Sequence, residues 1–65
     1  MIVNFYRRRR PGDYSKVRID LLASRNIEHV PALGTIIVVY GQHYRIDRIH
    51  FDLENCEYDI FMARV

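Results

Sequence analysis

Apolar and polar residues alternate along most of this chain, a pattern typical of β-strands with one buried face. The clearest example lies in the middle of the sequence, where the apolar run 36–40 is followed by Gly41-Gln42 and then by the alternating segment 44–51. Glycine adopts positive φ without steric cost, so it suits the first position of a tight turn. This stretch therefore predicts a β-hairpin whose turn is Gly41-Gln42.

The alternation changes phase within the second arm of this hairpin. Tyr44 and Ile46 fall on one face, whereas Ile49 and Phe51 continue on the opposite parity. Because strand side chains alternate strictly, such a slip requires an extra residue or a sharp bend. We expect a β-bulge or bend within residues 46–49.

Strand patterns also occur on both sides of the hairpin. The predicted strands cover residues 2–7, 14–23, 36–40, 44–51 and 56–65. In the first of them Val3 and Phe5 fall on one face, and Asn4 and Tyr6 on the other. For the second, a helix that begins at Ser15 is a competing interpretation, because serine can cap a helix. Sustained alternation and β-branched residues favour the strand.

Turn signals separate these strands. The proline-glycine-aspartate segment 11–13 suits a tight turn, since proline presets φ and glycine takes positive φ. Pro31 ends any strand that reaches it, and Gly34 permits a sharp entry into the next strand. Asn55 tolerates a left-handed conformation and is expected to form the last turn.

Five strands joined by short turns favour a simple antiparallel meander. A flat sheet of this size would expose an apolar face and two unpaired edges, and curling removes much of both. The 65 residues are enough for one small domain. The sequence therefore predicts a single all-β domain over residues 1–65, a five-stranded antiparallel meander curled into an SH3-like or OB-like barrel.

A family resemblance follows from the turn glycines and core positions of the C-terminal half. The residues that carry it are Pro31-x-x-Gly34, Gly41-x-x-Tyr44-x-Ile46-x-x-Ile49 and Phe51-Asp52-Leu53. This pattern resembles that of short SH3-like β-barrel proteins of bacteriophages and prophages. The resemblance implies the fold and an accessory protein that binds another macromolecule. The arginine run near the start of the chain lies outside the pattern.

The charges are unevenly distributed along the chain. The net charge is only +2 and the isoelectric point is near 9.0. Arginines occupy positions 7–10, and acidic residues cluster near the end at Asp52, Glu54, Glu57 and Asp59. Each charged region is a candidate docking surface, and the two regions could meet between two copies of the chain.

The arginine run is the sharpest candidate for a binding site. Guanidinium groups form bidentate hydrogen bonds with phosphates, and neighbouring tyrosines can stack on bases. The candidate nucleic-acid-binding residues are Tyr6, Arg7, Arg8, Arg9, Arg10 and Tyr14. Two alternatives stay open: a solvated charged turn whose arginine stems cover apolar surface, and a contact with an acidic protein.

The single cysteine, Cys56, excludes an internal disulfide and a thiolate-rich metal site. We expect Cys56 to be a small buried hydrophobe and the protein to reside in the reducing cytoplasm. The chain has neither a signal-peptide pattern nor an apolar run near the length that spans a bilayer. No membrane association is expected.

Catalytic chemistry is not expected either. The three histidines lack metal-ligand spacing with a supporting carboxylate, apart from His50 and Asp52. A core of this size can hardly enclose the deep pocket in which carboxylates act as acid and base, and no base is placed beside Cys56. The sequence predicts a non-enzymatic protein with no catalytic residue, no metal and no other cofactor.

Two functional hypotheses remain. The first is a small nucleic-acid-binding barrel that uses the arginine run. The second is a phage-type accessory or inhibitor protein that binds a host or virion protein, or itself, through an exposed strand edge or apolar patch. Leu22, Ile37 and Val39 fall opposite the predicted core positions, so we expect an exposed apolar stripe and a homo-oligomer.

Overall fold

A computed structural model describes residues 1–9 and 19–65 of the chain. Its strands are β1 (Ile2–Arg8), β2 (Ile19–Asn26), β3 (Ile36–Val39), β4 (Gln42–Asp52) and β5 (Glu57–Arg64). They form one sheet that curls into a half-barrel, consistent with a small SH3-like or OB-like barrel. The predicted all-β class is confirmed. The predicted turn at 11–13, the candidate residues Arg10 and Tyr14, and the start of the predicted second strand lie outside the described residues.

The strand order departs from a simple meander at one place. The order across the sheet is β2-β1-β5-β4-β3. Three pairs are antiparallel as expected, namely β1 with β2, β3 with β4 and β4 with β5. The first and last strands, however, lie side by side and parallel, with Phe5 opposite Ile60. This pairing places β5 at the centre of the sheet and leaves β2 and β3 as its two edges.

The core lies on the concave face of the curled sheet, where alternate side chains of the central strands meet. Its buried residues are Val3, Phe5, Tyr44, Ile46, Ile60 and Met62. The predicted sidedness of the first strand is correct, because Val3 and Phe5 enter this cluster while Asn4 hydrogen-bonds on the other side. No helix long and apolar enough to cross a membrane occurs in residues 1–9 and 19–65.

The predicted bulge in the fourth strand is present. Ile46 lies opposite Met62, but the next pair joins Arg48 to Phe61, so Asp47 is the extra residue. Beyond it Ile49 returns to the concave face and packs against the core. The slip in the apolar pattern therefore keeps both halves of β4 facing the same core.

Backbone conformation corrects two details of the predicted turns. The hairpin turn is Tyr40-Gly41 rather than Gly41-Gln42, and both residues have positive φ, 50° and 77°. Positive φ at both central positions is what a type I′ hairpin turn requires. In the last turn the left-handed residue is Cys56, at φ 54°, rather than Asn55. The prediction that Cys56 is buried is wrong, because its side chain is exposed.

A second, smaller packed layer covers the convex face of the sheet. Phe61 is 1% exposed although it points away from the main core. Tyr6 stacks on it with ring centroids 5.6 Å apart, and the His50 ring meets it edge-on at 4.8 Å. Nearby, Asn4 is held by a hydrogen bond from the Ser24 hydroxyl and donates to the Asp59 carboxylate. Much of the convex face near β1 and β5 is thus occupied by the chain's own side chains.

Candidate interaction surfaces

Strand alternation divides the arginine run between the two faces of β1. Arg7 and Arg9 both contact the Asp20 carboxylate on β2. Arg8 points the other way and pairs with Asp47 on β4. Arg7, Arg8 and Arg9 therefore do not form one continuous cationic surface, because Arg8 faces away from the other two.

Asp20 is held firmly in its charged form. Arg9 donates to it from Nη2 at 2.9 Å and from Nε at 3.3 Å, and Arg7 donates from Nη2 to Oδ2, the oxygen that also accepts from Arg9 Nε. These hydrogen bonds, from Arg9 first and then Arg7, lower the pKa of the Asp20 carboxyl from its ordinary 3.8 to about 2. The same contacts raise the pKa of both arginines. The carboxylate thus ties the end of β1 to the start of β2.

Arg8 has the most buried guanidinium of this group. Its side chain is 8% exposed, and its Nε donates to Asp47 Oδ1 at 3.2 Å. The stem crosses from β1 to the bulge of β4, so the side chain contributes packing as well as charge. This position joins β1 to β4, and most of the Arg8 side chain is covered.

The described candidate residues form a smaller cationic site than the sequence suggested, because aspartates pair with the arginines. Three arginines face two carboxylates, a net excess of one positive charge among the described members of the run. Arg9 is the most accessible of the three, with its side chain 67% exposed, followed by Arg7 at 41%. Tyr6 presents one ring face to Phe61 and is not fully available for stacking on a base.

The outer edge of β3 is a different kind of surface. Within residues 1–9 and 19–65 the sheet ends at β3, so no described strand pairs with that edge. Its four residues are all β-branched and uncharged. Ile37 and Val39 pack toward the core, whereas Ile36 and Val38 are exposed, Val38 by 58%. The expected apolar stripe exists, but on the parity opposite to the prediction, and Leu22 also packs on the core rather than joining it.

A groove lies between this edge and the other edge strand. It encloses about 250 Å³ and is open along one side. Its walls come from β1 and β2 on one side and from β3 and its turn on the other: Phe5, Ala23, Arg25, Ile37, Val38, Val39 and Tyr40. The gap is the seam that a closed barrel would not have. Of the residues that line it, only Ile37 and Val39 were picked out from the sequence, because only the sheet order shows which edges face each other.

The surroundings of this seam are cationic. Arg25 lies in the groove, and the register of β3 with β4 places Arg45 opposite Ile36 on the convex side. The carboxylates of Glu57 and Asp59, by contrast, are on the convex face of β5. Among residues 1–9 and 19–65, no acidic side chain lines the groove.

The acidic end of the chain forms no recognisable metal site. Asp52 on β4 lies opposite Glu57 on β5, but the carboxylate of Asp52 accepts hydrogen bonds from the backbone and side chain of Asn55. Across residues 1–9 and 19–65 there is no group of three or more histidine, cysteine or acidic side chains placed to hold a metal ion. The contacts of Asp52 instead stabilise the turn between β4 and β5.

Comparison with known proteins adds no identification. No protein-family model, no curated protein and no solved structure matches this chain.

Proposed function

We propose that this protein is a small binding module that captures an extended segment of another protein by strand addition along the outer edge of β3. The observation that carries the proposal is the composition of that edge, which has no charge, no proline and no bulge, and is apolar on both faces. Natural edge strands are usually blunted by one of these devices. An edge that lacks all of them is suited to pairing with another chain.

Strand addition supplies both affinity and selectivity. The main-chain N–H and C=O groups on the outer side of β3 pair with the incoming segment, and alternate side chains of that segment enter the adjoining groove. Ile36 and Val38 would be covered on the convex side at the same time, so apolar surface is removed from water on both faces of the new pair. The accessory-protein role implied by the resemblance to phage SH3-like barrels agrees with this mode of binding.

A charged residue on the edge tests the proposal. Peptides from a displayed library of random linear sequences would be selected on the wild-type protein and their affinities measured by fluorescence anisotropy. Val38→Lys replaces an exposed apolar side chain of the edge strand with a solvated ammonium beside the incoming segment, so we expect it to weaken the selected peptides by about tenfold or more. Amide exchange of β3 should slow when peptide is bound.

Leu53→Lys is the matched control. Leu53 is 77% exposed and lies in the turn between β4 and β5, so the variant introduces the same side chain on an apolar position distant in the sheet from β3. It should bind peptides like the wild type. Circular dichroism would establish that both variants are folded. Failure to select any peptide, or equal binding by Val38→Lys and the wild type, would contradict the proposal.

Nucleic-acid binding by the arginine run is the second candidate. It is favoured by one observation, the exposed guanidinium of Arg9 in a group whose arginines outnumber its carboxylates. Replacing Arg9 and Arg10 with alanine should then weaken binding to generic single-stranded DNA and flatten its dependence on salt by about one to two units. Equal retention of DNA by the wild type and this variant would exclude a phosphate-binding role.

A further inference from the structure

The seam groove has the size of a site for side chains rather than for a whole ligand. Its volume of about 250 Å³ is below the range of about 300–1,000 Å³ that is usual for sites of drug-sized molecules. It is walled by Phe5 and Ala23 on one side and by β3 on the other. A few aliphatic side chains from one face of an extended segment would fill it, and the backbone of that segment would lie along β3.

The charged side chain of Arg25 lies among these apolar walls. The only hydrogen bond of the Arg25 guanidinium within residues 1–9 and 19–65 goes from Nη1 to the backbone oxygen of Ser24, at 2.8 Å. No carboxylate of those residues is within 4.0 Å of it. The arrangement differs from that of Arg7, Arg8 and Arg9, each of which has an aspartate partner.

From this contrast we infer that the segment bound at the seam is aliphatic and carries a carboxylate that pairs with Arg25. The inference rests on the proposed function and specifies the chemistry of the partner. An arginine offers a bidentate pair of donors that matches a carboxylate, and the apolar walls exclude water from that pair when the groove is filled. Arg45 on β4, opposite Ile36, adds positive charge beside β3, which disfavours a basic segment.

Charge reversal at Arg25 tests the inference with the selected peptides. Peptides enriched on the wild type should combine aliphatic residues with aspartate or glutamate. Arg25→Glu should weaken them by about tenfold or more, because it places two carboxylates together in the groove. Changing the peptide's acidic residue to lysine should restore binding to Arg25→Glu and abolish it for the wild type. Arg64→Glu, a reversal at an exposed arginine on β5, should leave the affinities unchanged.

The outcomes separate this inference from the proposed function. Peptides that Val38→Lys rejects, but that lack acidic residues and bind Arg25→Glu normally, would overturn the role of Arg25 and leave strand addition standing. Peptides that bind Val38→Lys as tightly as the wild type would overturn both the role of Arg25 and strand addition. A wild type that sediments as a dimer and a Val38→Lys variant that sediments as a monomer would identify a second copy as the occupant and also reject the acidic segment. Competition by single-stranded DNA at the groove would reject a protein partner.

Discussion

Arg8 and Asp47 are 39 residues apart in the chain, and their ion pair joins β1 to the bulge of β4. Asp47 is the extra residue of that bulge, so its side chain is not committed to the regular alternation of the strand. Arg8 belongs to the most conspicuous charged run in the sequence, yet its guanidinium is directed at this one carboxylate. The pair thus connects part of the arginine run to a strand that is not the neighbour of β1 in the sheet.

A double-mutant cycle should measure this coupling. Asp47→Ala leaves a desolvated guanidinium without this carboxylate and should lower the free energy of unfolding by about 1–3 kcal/mol. Arg8→Met keeps much of the packing stem and removes the charge. We expect the double variant to be more stable than the sum of the single changes predicts, since the two groups are in contact. Urea unfolding would give the values, and strict additivity would show that the ion pair contributes nothing.

Asp20 should make stability depend on pH in acid. Its pKa is lowered from 3.8 to about 2 by Arg9 and Arg7, so the unfolded chain takes up a proton at a higher pH than the folded one. The stabilisation is complete above about pH 4 and is lost as the pH falls towards about 2. Urea titrations across this window should show a steeper loss of stability for the wild type than for Asp20→Asn. Parallel acid profiles for the two proteins would contradict the assignment.

A substitution at Tyr40 in the hairpin turn should make the protein more stable. This residue is held at φ 50° while its side chain is 80% exposed, and left-handed backbone is unfavourable for most residues other than glycine and asparagine. Tyr40→Asn should therefore raise the free energy of unfolding by up to about 1 kcal/mol. Gly41→Ala, at φ 77°, should have the opposite effect. A loss of stability in Tyr40→Asn would mean that the tyrosine ring makes contacts that outweigh the backbone term.

Tyr6 should contribute to stability whether or not it contacts a ligand. Its ring stacks on Phe61, which is almost fully buried on the convex face. Tyr6→Ala should cost about 1–3 kcal/mol through lost burial and ring contact, and Tyr6→Phe, which keeps the stack, should cost less. Thermal unfolding would rank the three proteins. Equal stabilities would show that the stack is incidental.

Local pattern in the sequence was sufficient for the bulge and for the existence of the described strands, although β2 continues to Asn26 where the pattern predicted an end at Ala23. Alternation has a period of two along the backbone, so the phase change between Ile46 and Ile49 can be read without knowing any neighbour. Gly41 indicated the hairpin, but the predicted turn was displaced by one residue. Tyr40 adopts a left-handed conformation, which is not expected for a tyrosine. The same limit explains Cys56, whose exposure and positive φ follow from the turn around it.

Only the tertiary structure decided what each surface faces. The run 36–39 is apolar at every position, so its pattern does not say which parity turns inward; the register that sets Ile37 opposite Tyr44 does. The parallel pairing of β1 with β5 joins the two ends of the described chain, and nothing local encodes it. That pairing leaves β2 and β3 as edges, opens the groove beside Arg25, and brings Asp47 within reach of Arg8, whereas Asp20 meets Arg7 through the antiparallel pairing of β1 with β2. These contacts join residues that are far apart in the sequence. They depend on the arrangement of all five strands rather than on any single stretch of residues.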